Sequence, residues 1–128
     1  MLLNSNFPRS SQQAGYMIGK HLFEKPLACT AIFCATDTLA LGVMQAADEA
    51  GLKIPEDFSL MGFDNISFTA LPRINLTTID QPQKEIADTA VDLLIAKIDR
   101  RADQAVHRTL MPKLVERSSC RMVDESEA

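Results

Sequence analysis

TAIFCATDTLALGVMQAADEAGLKIPEDFSLMGFDN, residues 30–65, is the stretch on which the fold turns. It opens with TAIFCA, a short unbroken apolar run with β-branched and aromatic members, which predicts a strand buried on both faces in a parallel sheet. Thr36 and Asp37 then offer side-chain oxygens to cap a helix. Leu39, Val43, Ala46, Ala47 and Ala50 recur on one face of that helix, and Gly51 supplies its left-handed stop. Gly42, inside the helix, costs about 1 kcal/mol relative to alanine unless a neighbour must come close, so it predicts a tight packing face. FSLMGF, residues 58–63, is a second buried strand that ends abruptly at Asp64 and Asn65. Strand, helix and strand joined by short connections make a parallel unit with a right-handed crossover.

The flanks extend this pattern. Upstream, Tyr16, Ile18 or Gly19, Leu22 and Phe23 recur at helical spacing and Pro26 closes the segment, predicting a first helix. Downstream, LTTID (residues 76–80) predicts a third strand, after which Pro82 suits a helix start. Ile86, Ala90, Leu93, Leu94 and Ile98 then outline an amphipathic helix of about five turns. HRTLMPKLVER (residues 107–117) reads as an edge strand, because Pro112 cannot donate to a ladder. The expected fold class is α/β, an open parallel sheet flanked by helices. Residues 1–121 form the folded part, and residues 122–128 are expected to be a disordered acidic tail.

With 128 residues and 46% hydrophobic content, the chain has enough apolar material for one folded domain. Its longest apolar stretch, around Leu27 to Ala35, falls far short of the roughly 20 residues a membrane span needs. A net charge of −4 with dispersed basic residues argues against nucleic-acid binding by this surface. The three cysteines form no CxxC pair, and Cys29 and Cys34 read as small buried apolar residues of a reduced protein. The beginning lacks the features of a secretory signal, so the cytoplasm is the expected compartment.

In open α/β sheets, ligands bind beyond the carboxyl ends of the strands. Thr36, Asp37, Asp64, Asp80 and Gln81 each fall at or just after such an end. Asp64 either accepts hydrogen bonds from a ligand hydroxyl or ring N–H, or accepts backbone N–H groups of its own Asp-Asn turn. Asp37 either faces a ligand or stabilises the start of its helix, and the structural reading carries more weight. Gln81 either contacts a ligand or closes the strand-to-helix turn. No phosphate-cradling glycine loop, nucleophile elbow or set of metal ligands is present, and neither His21 nor His107 has an evident nucleophile beside it. An enzyme using Asp64 or Asp80 as a base would lack a recognisable partner group. No catalytic residue, metal site or cofactor is therefore expected.

Residues 30–65, then LTTIDQP, then LMPKLVERSS, with the motifs in fixed order and spacing, closely resemble the C-terminal part of bacterial repressors of the LacI/GalR type. The resemblance runs from about Ser10 to Arg121. It implies a lobe of a periplasmic-binding-protein-like sensor domain, in which a ligand sits in the cleft between two α/β lobes and a separate helix-turn-helix binds operator DNA. The effector would shift the dimer between states of different DNA affinity. By position, the resemblance implies effector contacts at Asp64 and Gln81, and at Thr36 beside Asp37. It places the family's stacking aromatic at Ser10 by direct spacing, with Phe7 as the alternative. Leu41 and the following face, including Met44, match the dimer-contact region. The implied partners are a small polar effector, a sugar or nucleobase, and a second copy of the chain, with operator DNA bound only through a helix-turn-helix that these residues do not contain. On this resemblance the chain is expected to be a partial sensor domain, with Ile86, Leu93 and Leu94 on a helix face that lacks its usual partner lobe. A fragment of a transporter's periplasmic sugar-binding protein is the alternative with the same fold.

Overall fold

The computed structural model describes residues 11–99 and 105–123. Helix α1 (Gln12–Phe23) leads to strand β1 (Ala31–Phe33), helix α2 (Asp37–Ala50) and strand β2 (Ser59–Met61). A short 3-10 helix, η1 (Ser67–Ala70), precedes strand β3 (Thr78–Asp80), helix α3 (Gln83–Ile98) and strand β4 (Lys113–Val115).

Local chemistry accounts for the helix ends. Ser11 caps α1 by accepting from the Ala14 N–H (3.1 Å), and Thr36 caps α2 by accepting from the Leu39 N–H (3.2 Å). Gly51 ends α2 at φ 72°, a left-handed conformation that only glycine adopts without penalty. The predicted close approach at Gly42 is present: a side-chain carbon there would overlap the Gln12 carbonyl oxygen and the Tyr16 nitrogen of α1. Gly15 of α1 is equally tight against the Leu39 backbone. The two helices therefore cross backbone to backbone. The Tyr16 hydroxyl bonds Glu49 (2.7 Å) at the rim of this crossing, and that bond holds the Glu49 carboxyl below its ordinary pKa.

β1 runs parallel to β2, with Ile32 opposite Leu60. β2 continues in parallel beside β3 through the Met61–Thr77 bridge, where the Gly62 N–H donates to the Thr77 carbonyl (3.0 Å). β4 pairs with β3 in the antiparallel sense, so the expected all-parallel sheet has one antiparallel edge. The hydrophobic core lies between the sheet and α2. It is built from Phe58, Leu60, Leu76, Ala40, Val43 and Ala47, with the Phe23 ring 5.5 Å from that of Phe58.

Two expectations about burial are corrected. β1 is covered on one face only, and Phe33 is 62% exposed. The strand register puts Phe33, Met61, Ile79 and Leu114 on the same side of the sheet, opposite the one on which α2 packs. Cys29 is exposed, whereas Cys34 is buried in the core as expected. Burial, and then the nearby Asp37 carboxylate, push the Cys34 thiol up to about 11 from an ordinary 9.0. Its thiolate fraction at neutral pH is therefore about a hundredfold below that of an ordinary thiol. Maleimide labelling followed by peptide mass spectrometry should modify Cys29 first and Cys34 only on unfolding; early modification of Cys34 would contradict its placement.

α3 buries none of its residues, and Ile86, Leu94 and Ile98 are all exposed. On the apolar face read from its periodicity Leu93 is half-buried, and the rest of that face is exposed among the described residues. Whether residues 124–128 form a disordered tail lies outside the described residues.

Candidate functional site

The parallel alignment of β2 and β3 brings their carboxyl ends side by side, and the Asp64 N–H donates to the Ile79 carbonyl (2.9 Å) across that junction. Asp64 follows β2 and Gln81 follows β3, so the two side chains meet: Gln81 Nε2 donates to Asp64 Oδ1 at 2.7 Å. Both line an open cleft of about 810 Å³ between the turn at residues 64–67 and the first turns of α3, with Asn65, Asp80, Lys84 and Asp88 also on its walls. Among the described residues, no donor reaches the second Asp64 oxygen. A carboxylate with a free acceptor, beside an amide that both donates and accepts, suits a ligand carrying hydroxyl or ring N–H groups.

Asp64 does not accept from the backbone of its own turn, which was its alternative reading. The turn is held from outside instead. The Asn65 N–H reaches Thr78 Oγ1 (3.3 Å), and Asn65 Nδ2 donates to Asp80 Oδ1 (3.1 Å). The guanidinium of Arg117 donates to Asn65 Oδ1 (2.8 Å).

Of the two readings of Asp37, a ligand contact or a structural role, its surroundings match the structural one, as an internal anchor and not merely at the start of its helix. Its carboxylate is fully buried: Oδ1 accepts from the Thr78 hydroxyl (2.6 Å) and Oδ2 from the Ile66 N–H (2.9 Å). Both oxygens are engaged inside the fold and shielded from the cleft. Thr36 uses its hydroxyl as the α2 cap, and neither it nor Asp37 is among the cleft-lining residues. Ser10 and Phe7 lie outside the described residues. Leu41 and Met44 are half-buried on α2 and border a separate groove with Phe68 and Ile74. Residue-type reasoning missed Asn65 and Arg117. A second polar residue straight after Asp64, able to adopt a left-handed turn, was the available signal for Asn65. Among the described residues no group of three or more His, Cys, Asp or Glu side chains could hold a metal ion, and no helix is long and apolar enough to cross a membrane.

A parallel α/β core with a polar pair at adjoining strand ends defines a small-molecule binding module. The model of the periplasmic binding protein-like domain matches residues 4–120. The HTH-type transcriptional repressor PurR of Escherichia coli O139:H28 is 36% identical over 107 residues, which is 84% of this chain and 31% of the repressor. A LacI-family transcriptional regulatory protein from Corynebacterium glutamicum superposes with a TM-score of 0.76 at 38% identity, covering 87% of this chain and 43% of that one. A LacI family regulator from Enterococcus faecium, solved with bound ribose, gives a TM-score of 0.79 at 34% identity, covering 89% of this chain and 42% of that one. The chain belongs to the periplasmic binding protein-like family, in the branch formed by the effector-binding domains of LacI/GalR regulators. It spans about a third of the length of the curated relatives it matches.

Proposed function

We propose that this chain is part of the effector-binding domain of a bacterial transcriptional repressor, and that Asp64 and Gln81 bind a small polar effector, a sugar or a nucleobase. The observation that carries this reading is the hydrogen-bonded Asp64–Gln81 pair at the joined ends of β2 and β3, on the wall of an 810 Å³ cleft. The ribose bound to the Enterococcus relative and the repressor name of the E. coli relative support it, and they favour a regulator over a transport protein. A regulator of this kind works in the cytoplasm, where its operator is. Contact with operator DNA is assigned to a helix-turn-helix outside these residues, because their net charge is −4. The parent is a homodimer in this reading. Leu41 and Met44 contribute to its contact, supported by the exposed Phe68 in the same groove and the exposed Leu71 beyond η1.

Calorimetric titration with ribose, sucrose, adenine and guanine tests the proposal. One of these is expected to bind, and Asp64→Asn is expected to weaken it by about tenfold or more, since hydrogen bonds to charged acceptors contribute about 1.5–3 kcal/mol. Undiminished affinity in the variant would remove Asp64 from the site.

A further inference from the structure

Two successive residues at the head of the cleft have backbone conformations that residues with side chains rarely adopt: Asp64 at φ 114° and Asn65 at φ 52°. Asparagine tolerates the left-handed region, but aspartate at 114° does not do so readily. Such conformations persist only where the surroundings over-determine them. Part of that constraint is backbone: the Asp64 N–H is tied to Ile79 and the Ile66 N–H to Asp37. Thr78 Oγ1 holds the Asn65 N–H and Gln81 the Asp64 carboxylate. The Asn65 side chain adds two further ties, with both of its ends occupied, by Asp80 and by Arg117.

Arg117 comes from the segment just after β4 and does more than meet Asn65. Its Nη1 donates to Thr69 Oγ1 (3.1 Å) in η1 and to the Leu76 carbonyl (2.7 Å) ahead of β3. Its main chain is fixed as well, with its N–H donating to Thr77 Oγ1 (3.0 Å). One planar fork thus ties the turn, η1 and the start of β3 together, at angles a lysine ammonium cannot reproduce. Arg117 is not among the residues lining the cleft.

We infer that Arg117 is a positioning residue for the effector site: through Asn65 it holds the Asp64 carboxylate in its binding orientation without touching the effector. This rests on the proposed role of Asp64. Removing the guanidinium frees the carbonyl end of the Asn65 side chain, leaves Asp80 as its single tie, lets the turn relax towards ordinary angles, and swings Asp64 away from Gln81.

The test uses Arg117→Met, Arg117→Lys, Asn65→Ala and the double variant Arg117→Met/Asn65→Ala, read by amide hydrogen exchange and by titration with ribose and adenine. In Arg117→Met, exchange at the Asp64 and Ile66 amides should accelerate about tenfold or more while the α1 and α2 amides keep their protection. Affinity for whichever probe binds the unmodified protein should fall by a similar factor. Arg117→Lys should recover only part of the loss, and Arg117→Met should add little to Asn65→Ala. Uniform acceleration across all amides, unchanged exchange at the turn, or additive effects in the double variant would each overturn the inference. If Arg117→Met fails to fold, Asn65→Ala cuts the same link from its other end, and an unchanged turn in that variant overturns it equally. If neither probe binds the unmodified protein, the effector reading fails for those ligands, and the exchange result still decides whether Arg117 orders the turn.

Discussion

Gly42→Ala should lower the melting temperature by about 10 °C or more, against the direction that helix propensity dictates. In an exposed helix interior, glycine to alanine stabilises by about 1 kcal/mol. Here the added carbon would overlap the Gln12 carbonyl oxygen and the Tyr16 nitrogen and lie 2.8 Å from the Gly15 carbonyl carbon. All three are backbone atoms, so no side chain can rotate away and the helices must separate. Gly15 faces the same crossing, and a carbon there would meet the Leu39 backbone, so sliding α1 along α2 offers no relief. Overpacking of this kind costs about 3 kcal/mol, and moving α2 also disturbs Ala40, Val43 and Ala47 in the core. Thermal unfolding followed by circular dichroism measures it. A variant that melts at or above the parent's temperature would show that the helices are not in backbone contact.

The signals that read correctly from the sequence were those whose causes lie within a few residues. A threonine cap and a left-handed glycine bracket α2 at Thr36 and Gly51, as local rules require. Gly42 was legible because its local cost called for a distant compensation, although the sequence did not say that α1 would be the neighbour. Burial of β1 was misread for the converse reason. An apolar run such as Ile32-Phe33-Cys34 looks the same whether one face or both are covered, and coverage depends on elements far away in the chain. The direction of β4 was similarly hidden: Pro112 marks an edge but says nothing about whether the strand runs with or against its neighbour.

The site divides along the same line. That Asp64 and Gln81 would share one rim was legible, because each directly follows a strand and parallel strands end at one rim of a sheet. Asp37 was ambiguous, since a carboxylate in the first turn of a helix serves a cap and a ligand equally well in sequence. Its inward direction follows from Thr78 and Ile66, which fold back over it. Arg117 gave no local sign. It stands 52 residues from Asn65, at the end of the stretch that reads as an edge strand, and only the return of the chain after β4 brings it to the turn.

Asp37→Ala should cost about 3–5 kcal/mol, and Asp37→Asn about 1–3 kcal/mol, and this ordering is what separates an anchor from a cap. Truncation to alanine leaves the buried Thr78 hydroxyl and the Ile66 N–H without their acceptors, in a structure where no buried side-chain polar atom among the described residues lacks a partner. Asparagine keeps one carbonyl oxygen, which can still accept from Ile66. Its amide nitrogen can turn only towards Thr78, whose oxygen already receives the Asn65 N–H at 3.3 Å, and the Thr78 proton then loses its acceptor. The variant is therefore partly, not fully, competent. Leaving the space empty has a further consequence, because Asp37 is also the group that a side-chain carbon at Gly62 would strike, so the carboxylate fills the gap between α2 and the end of β2. Had Asp37 merely favoured the helix start electrostatically, either substitution would cost about 1 kcal/mol or less. Urea unfolding of the three proteins distinguishes the cases: equal small losses in both variants would return Asp37 to a capping role, and a loss clearly larger in alanine than in asparagine would establish it as the buried tie between α2 and the Asp64–Ile66 turn.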